Sequence, residues 1–178
     1  MSHRSDLPTP ADPEHTLWSL IEDLRFAMLT TRDAEGRLRG RPMTTQNPRP
    51  ADEHEPHPSR LWFFLSLSSE TAEDVRRDPR VNLAYASPDK DRYVSVSGSA
   101  RFVEDLALKR GLWSTATDAW FPEGPDGPDV GLLEVSIEGA EFWDVRTSKV
   151  MQLVKMAKAA VTGEPPRAMG IHARIGLH

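Results

Sequence analysis

The sequence predicts a mainly β protein, an antiparallel barrel of six or seven strands with α-helical additions at its margins. Three observations carry this expectation. Apolar residues recur with a period of two over several segments. Two strand-like runs separated by a turn open the β region. Helical periodicity is confined to short stretches before, between and after the strands.

Asp12-Pro13 pairs an N-cap residue with proline at the first helical position, and Leu17, Leu20, Ile21 and Leu24 follow at helical spacing, so a helix is expected over 13–24. The period then changes. Phe26-Ala27-Met28-Leu29-Thr30-Thr31 reads as a strand, Asp33-Ala34-Glu35-Gly36 as a turn and residues 37–45 as a second strand, together a β-hairpin. Residues 47–59 are rich in proline and acids and are expected to form an exposed, mobile loop. The segment Leu61 to Leu67 is apolar on both faces, which predicts a central strand covered on both sides. Ser69 can cap a helix over 70–77 that Asp78-Pro79 ends, and a strand over 81–86 follows. Over 92–103, Val94, Val96, Ala100 and Phe102 lie on one face; Tyr93, Ser95, Ser97, Ser99 and Arg101 lie on the other. Next come a helix over 105–116, a Pro/Gly-rich loop around Trp120-Phe121-Pro122-Glu123-Gly124, and strands near 131–138 and 140–146. A helix over 148–162, with Val150, Leu153, Val154, Ala157 and Val161 as its stripe, ends at Gly163. The 178 residues therefore suit one domain over 13–163, between an N-terminal tail (1–12) and a C-terminal tail (164–178) with little to order it alone.

Composition excludes several function classes. A formal charge of −5 argues against a general nucleic-acid binder, because neutralising many phosphates needs a basic excess. The absence of cysteine removes disulfides, thiolate metal sites and thiol nucleophiles together. No apolar run approaches the ~20 residues that span a membrane, and the first residues lack the apolar region of a signal peptide, so a cytoplasmic location is expected. His54-Glu55-Pro56-His57 has the wrong spacing, and a proline, for the helical histidine pair of a zinc protease. No Gly-rich phosphate loop, Gly-x-Ser-x-Gly elbow or Rossmann fingerprint is present.

Three places could hold a ligand. Arg37, Arg39 and Arg41 share one face of a strand and could grip a phosphate by charge-assisted hydrogen bonds, although a solvated strand face is the commoner reason for such a row. Pro42 removes a ladder donor and marks an edge or bulge where a ligand can approach the backbone. The junction Ser66-Leu67-Ser68-Ser69-Glu70-Thr71 offers hydroxyls and helix-start amides to a phosphate, or simple capping; Glu70, Glu73 and Asp74 suit the helix dipole but repel an anion. Core packing explains most of the aromatic set Trp113, Trp120, Phe121 and Trp143, but Trp120-Phe121 sits in a surface loop, where a flat ligand or a dimer contact would be other reasons for it beside filling a gap under that loop.

The order of these pieces resembles the general stress protein branch of the pyridoxamine phosphate oxidase-like family. The resemblance runs from Phe26-Ala27-Met28-Leu29-Thr30-Thr31 through Gly36, Arg41-Pro42-Met43 and Leu61-Trp62-Phe63-Phe64. It continues with Asp78-Pro79-Arg80-Val81-Asn82-Leu83-Ala84-Tyr85 and Tyr93-Val94-Ser95-Val96-Ser97-Gly98-Ser99-Ala100. It closes with Ala119-Trp120-Phe121-Pro122-Glu123-Gly124, Asp129, Leu132-Leu133 and Ala140-Glu141-Phe142-Trp143-Asp144. Each motif alone is weak; together they cover residues 15–163.

The resemblance implies a split β-barrel that binds FMN in clefts between the subunits of a homodimer. By this resemblance Arg41, Pro42 and Met43 line the flavin, Phe64 and Leu65 offer backbone contacts, and Ser69 contacts the phosphate. Tyr93 stands near the ring, while Trp120 and Phe121 approach from the other subunit. Thr71 occupies a position where the family usually carries a phosphate-binding lysine. That loss is expected to cost ~1–3 kcal/mol of FMN affinity, with Arg37 or Arg39 as candidate replacements. The implied activity is a flavin-dependent oxidoreductase drawing on NADH or NADPH, not pyridoxamine phosphate oxidase itself. A flavin-binding protein without turnover, and a barrel with an emptied site, remain the alternatives. No side chain stands out as a general acid or base.

Overall fold

The computed structural model describes residues 12–48, 59–144 and 171–176. The expected helix over 148–162, and nearly all of the 47–59 loop, lie outside the described residues. Helix α1 (Pro13–Leu24) starts as expected, with the Asp12 carboxylate accepting from the His15 amide. Its apolar stripe buries Leu17, Trp18, Leu20 and Ile21 in the core. Strands β1 (Phe26–Arg32) and β2 (Leu38–Thr44) form the hairpin. Gly36, at φ 79°, supplies the left-handed residue that its turn requires.

The remaining elements are β3 (Arg60–Ser66), α2 (Glu70–Arg77), β4 (Arg80–Ser87), β5 (Arg92–Val103), α3 (Leu106–Gly111), α4 (Thr115–Asp118), β6 (Val130–Asp144) and β7 (Ile171–Gly176). All pairings are antiparallel. The hydrogen-bonded path is β2-β1-β4-β5-β6-β3, with β7 also on β6. Strands β3 and β7 share one edge of β6, end to end: β3 pairs with residues 130–136 and β7 with residues 139–144. This gives the mainly β, seven-stranded architecture expected of a split barrel.

Four local expectations need correction. β3 is an edge strand in the path, not a central one. Its two apolar faces are nonetheless both covered. Leu61, Phe63 and Leu65 face the main core, whereas Phe64 packs with Val130 and Leu132 under Trp113 and Phe121. The expected helix over 105–116 is two short helices, α3 and α4. The Ser114 hydroxyl accepts from the Thr117 amide and restarts the chain as α4. The two strands expected near 131–138 and 140–146 are one, β6, because a bulge opposite Ser97 and Gly98 accommodates Glu138 as an extra residue. The C-terminal tail contributes β7, which is ordered by pairing with β6.

The ends of the path meet. The Gln46 amide donates to the Trp62 carbonyl at 2.9 Å. The Asn47 side chain donates to the Arg60 carbonyl at 2.8 Å and accepts from the Trp62 amide at 3.0 Å, so it stands in for a strand backbone. This seam brings the chain beyond β2 against β3 and curls the sheet toward closure.

Candidate functional site

β1 and β2 carry their even and odd residues on opposite faces, so Arg41 shares its face with buried Leu29 and Thr31. α2 packs against β1 on that face and delivers two carboxylates one helical turn apart, Glu70 and Asp74. Arg41 joins them. Its Nη1 donates to Thr31 Oγ1 at 3.1 Å and Asp74 Oδ2 at 3.3 Å, and its Nη2 donates to Glu70 Oε2 at 3.2 Å. Thr31 Oγ1 in turn donates to Asp74 Oδ2 at 2.9 Å, and Arg77 reaches Asp74 Oδ1 at 3.3 Å. Two of the sequence-derived ligand sites, the arginine strand and the β3–α2 junction, are therefore one place.

Within that place Ser69 caps α2. Its hydroxyl accepts from the Ala72 amide at 3.2 Å and donates to the Ser66 carbonyl at 2.6 Å. Thr71 is buried beneath the same turn. The junction is clamped by Asp129, which accepts from the Ser66 hydroxyl at 2.5 Å and from the Ser68 amide at 2.8 Å. The Ser66 hydrogen bond leads the interactions that hold the Asp129 carboxyl below the usual range. Asp74 and Asp129 were not assigned these roles from sequence. Asp74 carries a signal in its four-residue spacing from Glu70; Asp129, 61 positions from Ser68, is marked only by its place in the family resemblance.

Arg37 and Arg39 do not join Arg41. Both are tied into the hairpin turn by Asp33, with Arg37 Nε at 2.8 Å and Arg39 Nε at 3.1 Å from Asp33 Oδ2. Burial raises the Asp33 carboxyl, but hydrogen bonds from the Arg37 amide and both guanidiniums more than offset it and hold the group far below its usual range. They therefore serve the turn, and Arg41 is the arginine of that strand which reaches α2, where Arg76 also donates to the Leu67 carbonyl at 3.0 Å.

The other candidate residues divide by face. Met43 is half-buried against the core, whereas Pro42 points outward. In β3 the Arg60 and Trp62 backbone groups face the seam, and the Leu67 amide just beyond the strand bonds toward Asp129 at the start of β6. By strand alternation the Phe64 N–H and C=O point to the open edge, and those of Leu65 point to β6. Tyr93 stands on the outer face, 39% exposed, opposite Ala86 and Trp143. Trp120 and Phe121 diverge. Phe121 packs 6.3 Å from Trp113, which meets Phe64 edge-on at 4.9 Å, while Trp120 projects outward, 81% exposed. Among the described residues the ten candidates do not converge on one enclosed cavity. A groove of about 320 Å³ on the outer face, between Ser95, Ser97, Glu141 and Arg174, contains none of them.

A family model described as pyridoxamine 5'-phosphate oxidase like matches residues 12–167. The chain belongs to that family. The bli-3 protein of Neurospora crassa is 27% identical over 170 residues, covering 90% of this chain and 78% of that protein. Among solved structures, one described as a general stress protein 26, from Jannaschia sp. CCS1, superposes with a TM-score of 0.70. It is 27% identical and covers 94% of this chain and 100% of its own. The general stress FMN/FAD binding protein of Xanthomonas citri superposes at 0.60, with 27% identity over 75% of this chain and 89% of its own. Among the described residues of this pyridoxamine phosphate oxidase-like chain, no helix is long and apolar enough to cross a membrane, and no cluster of three His or acidic side chains could hold a metal.

Proposed function

We propose that this chain is an FMN-binding general stress protein that acts as a homodimer and performs flavin-dependent redox chemistry on a small molecule. The observation that carries the reading is Arg41 paired with Glu70 in the first turn of α2, the helix that Ser69 caps. A guanidinium, hydroxyls and a helix N-terminus form the donor set that suits a phosphate monoester. The name of the Xanthomonas citri relative, a general stress FMN/FAD binding protein, supports flavin as the group attached to that phosphate.

The two-subunit arrangement is supported by the outer face of the sheet. Phe26, Met28, Pro42, Ala84, Ala86 and Tyr93 are exposed there, and Phe26 and Leu38 are the most open large side chains of the hairpin. An apolar face of this kind favours burial against another protein surface, here a second copy. Pro42 and Tyr93 would then enter the interface, the open backbone edge at Phe64 would be available to the ring, and Trp120 would reach across from the partner.

Bound flavin would supply the electron-accepting chemistry. Arg41 and Ser69 would fix the phosphate, Phe64 would meet the ring edge through its backbone, and Trp120 would shield a ring face from water. The cytoplasm, which holds reduced nicotinamide nucleotides, is the compartment this reading implies. A second reading, flavin storage or sensing without turnover, is favoured by the charges around Arg41. These are paired with one another, which leaves no poised acid or base there. Flavin titration of the purified protein tests binding, and anaerobic bleaching of the bound flavin by NADH or NADPH separates the two readings. Absence of flavin binding removes both.

A further inference from the structure

We infer that Glu70 is a built-in competitor for the ligand phosphate, and that it sets how strongly the site prefers a phosphorylated flavin over an unphosphorylated one. The inference rests on the flavin reading above and concerns the regulation of that same site.

Arg41 has two arms in different situations. Nη1 is held by Thr31 and by Asp74, whose side chain is only 6% exposed and also receives Thr31 and Arg77. Withdrawing Asp74 would strand a buried carboxylate's partners, so this arm is fixed. Nη2 is held by Glu70, whose side chain is 86% exposed. An ion pair to so exposed a carboxylate gains little over its solvation by water, so a phosphate can displace it. The magnitudes therefore assign the arms: Asp74 orients the guanidinium permanently, and Glu70 occupies the ligand's half of it. Thr71 is buried and uncharged, and Arg41 is the cation that Glu70 holds, so it is at Arg41 that Glu70 and the phosphate compete. A ligand without phosphate gains nothing from displacing Glu70.

The experiment compares FMN and riboflavin titrations, followed by flavin fluorescence, for the parent, Glu70→Gln and Glu73→Gln. Glu73 lies near the same helix start but outside Arg41's partners, so both variants lose one formal charge there while only Glu70→Gln alters the contact with Arg41. Glu70→Gln is expected to tighten FMN roughly three- to fivefold, the scale of one exposed competing charge, and to leave riboflavin unchanged. Glu73→Gln is expected to change FMN affinity by less than about twofold, within the range of a surface charge with no direct contact. Equal FMN gains in both variants would reduce the effect to general charge and overturn the competition. An unchanged FMN-to-riboflavin ratio in Glu70→Gln, with both flavins bound, would overturn this inference while sparing the flavin reading. If neither flavin binds to any of the three proteins, the flavin reading falls and the inference falls with it.

Discussion

The Thr31 hydroxyl donates to the buried Asp74 carboxylate at 2.9 Å, tying the interior face of β1 to the middle of α2. The same carboxylate receives Arg41 and Arg77, so one acidic side chain holds together the strand pair, the helix and the candidate phosphate anchor. Asp74→Ala should lower stability by ~1–3 kcal/mol. That is below the full cost of breaking a buried pair, because both arginines can turn toward water. Thr31→Val should cost about 1 kcal/mol. Urea unfolding of the two single variants and the double variant measures this, and the double should fall short of their sum because they share a partner.

Trp120 separates binding from folding. Its side chain is 81% exposed, so Trp120→Ala should shift stability by no more than ~0.5 kcal/mol. Under the proposed function it should weaken FMN by ~1–3 kcal/mol and reduce quenching of the bound flavin. Phe121→Ala should do the reverse. It removes a ring packed near Trp113 and should cost ~2–4 kcal/mol of stability. A thermal melt and a flavin titration on each variant would show whether the two adjacent aromatics have exchanged roles.

Gly98 should tolerate no side chain. A Cβ there would lie 2.2 Å from the Ser136 carbonyl oxygen, a backbone atom that cannot step aside without moving β6. Gly98→Ala is expected to destabilise by ~2–4 kcal/mol through overpacking at the bulge. Equilibrium unfolding gives the number, and a loss under 1 kcal/mol would mean that the bulge can migrate.

Acid sensitivity should trace partly to the α2–β4 corner. The Arg80 guanidinium, with the Arg80 amide, brings the Asp78 carboxyl from its ordinary 3.8 to about 2. A depressed folded-state value means that this group's contribution is complete above about pH 4 and is lost as the pH falls toward 2. Asp78→Asn should therefore lower stability at neutral pH and flatten the acid limb between those values. Stability against urea at a series of pH values tests the sign; an acid limb unchanged by the substitution would remove Asp78 from it.

The outer face offers a direct test of the dimer. Phe26 is 69% exposed in the single chain, so Phe26→Asp should leave the monomer fold intact. In the proposed interface it would bury an unpaired charge, which should dissociate the assembly at micromolar concentration. Light scattering over a dilution series should give about twice the chain mass for the parent and one chain mass for the variant. Equal masses would move the interface elsewhere.

Local pattern made much of this protein legible. The Asp12 and Ser69 caps, the hairpin around Gly36 and the alternation of β5 each depend on residues a few positions apart, and each was readable before any coordinates. Of the candidate site, the residue types were visible, and so was the merit of Arg41 and of the Ser69 junction. That the strand and the junction adjoin is implied by the family resemblance alone; local pattern carries no sign of it, because Arg41 and Asp74 are 33 positions apart and only the packing of α2 on β1 brings them together.

The hydrophobic pattern of the strands reports which of their faces are covered, whereas backbone pairing settles which edges meet. Side-chain hydrophobicity reports cover, so both faces of β3 were correctly expected to be covered. Its neighbours depend on backbone hydrogen bonds, which every residue but proline offers alike, and so its place at the edge of the path left no mark in the side chains. The continuity of β6 through Glu138 and the recruitment of 171–176 as β7 have the same origin. So does the division of Trp120 from Phe121. Adjacent aromatics look alike in a sequence, and only the position of Trp113 and Phe64 beneath the loop decided which ring packs inward and which stays exposed.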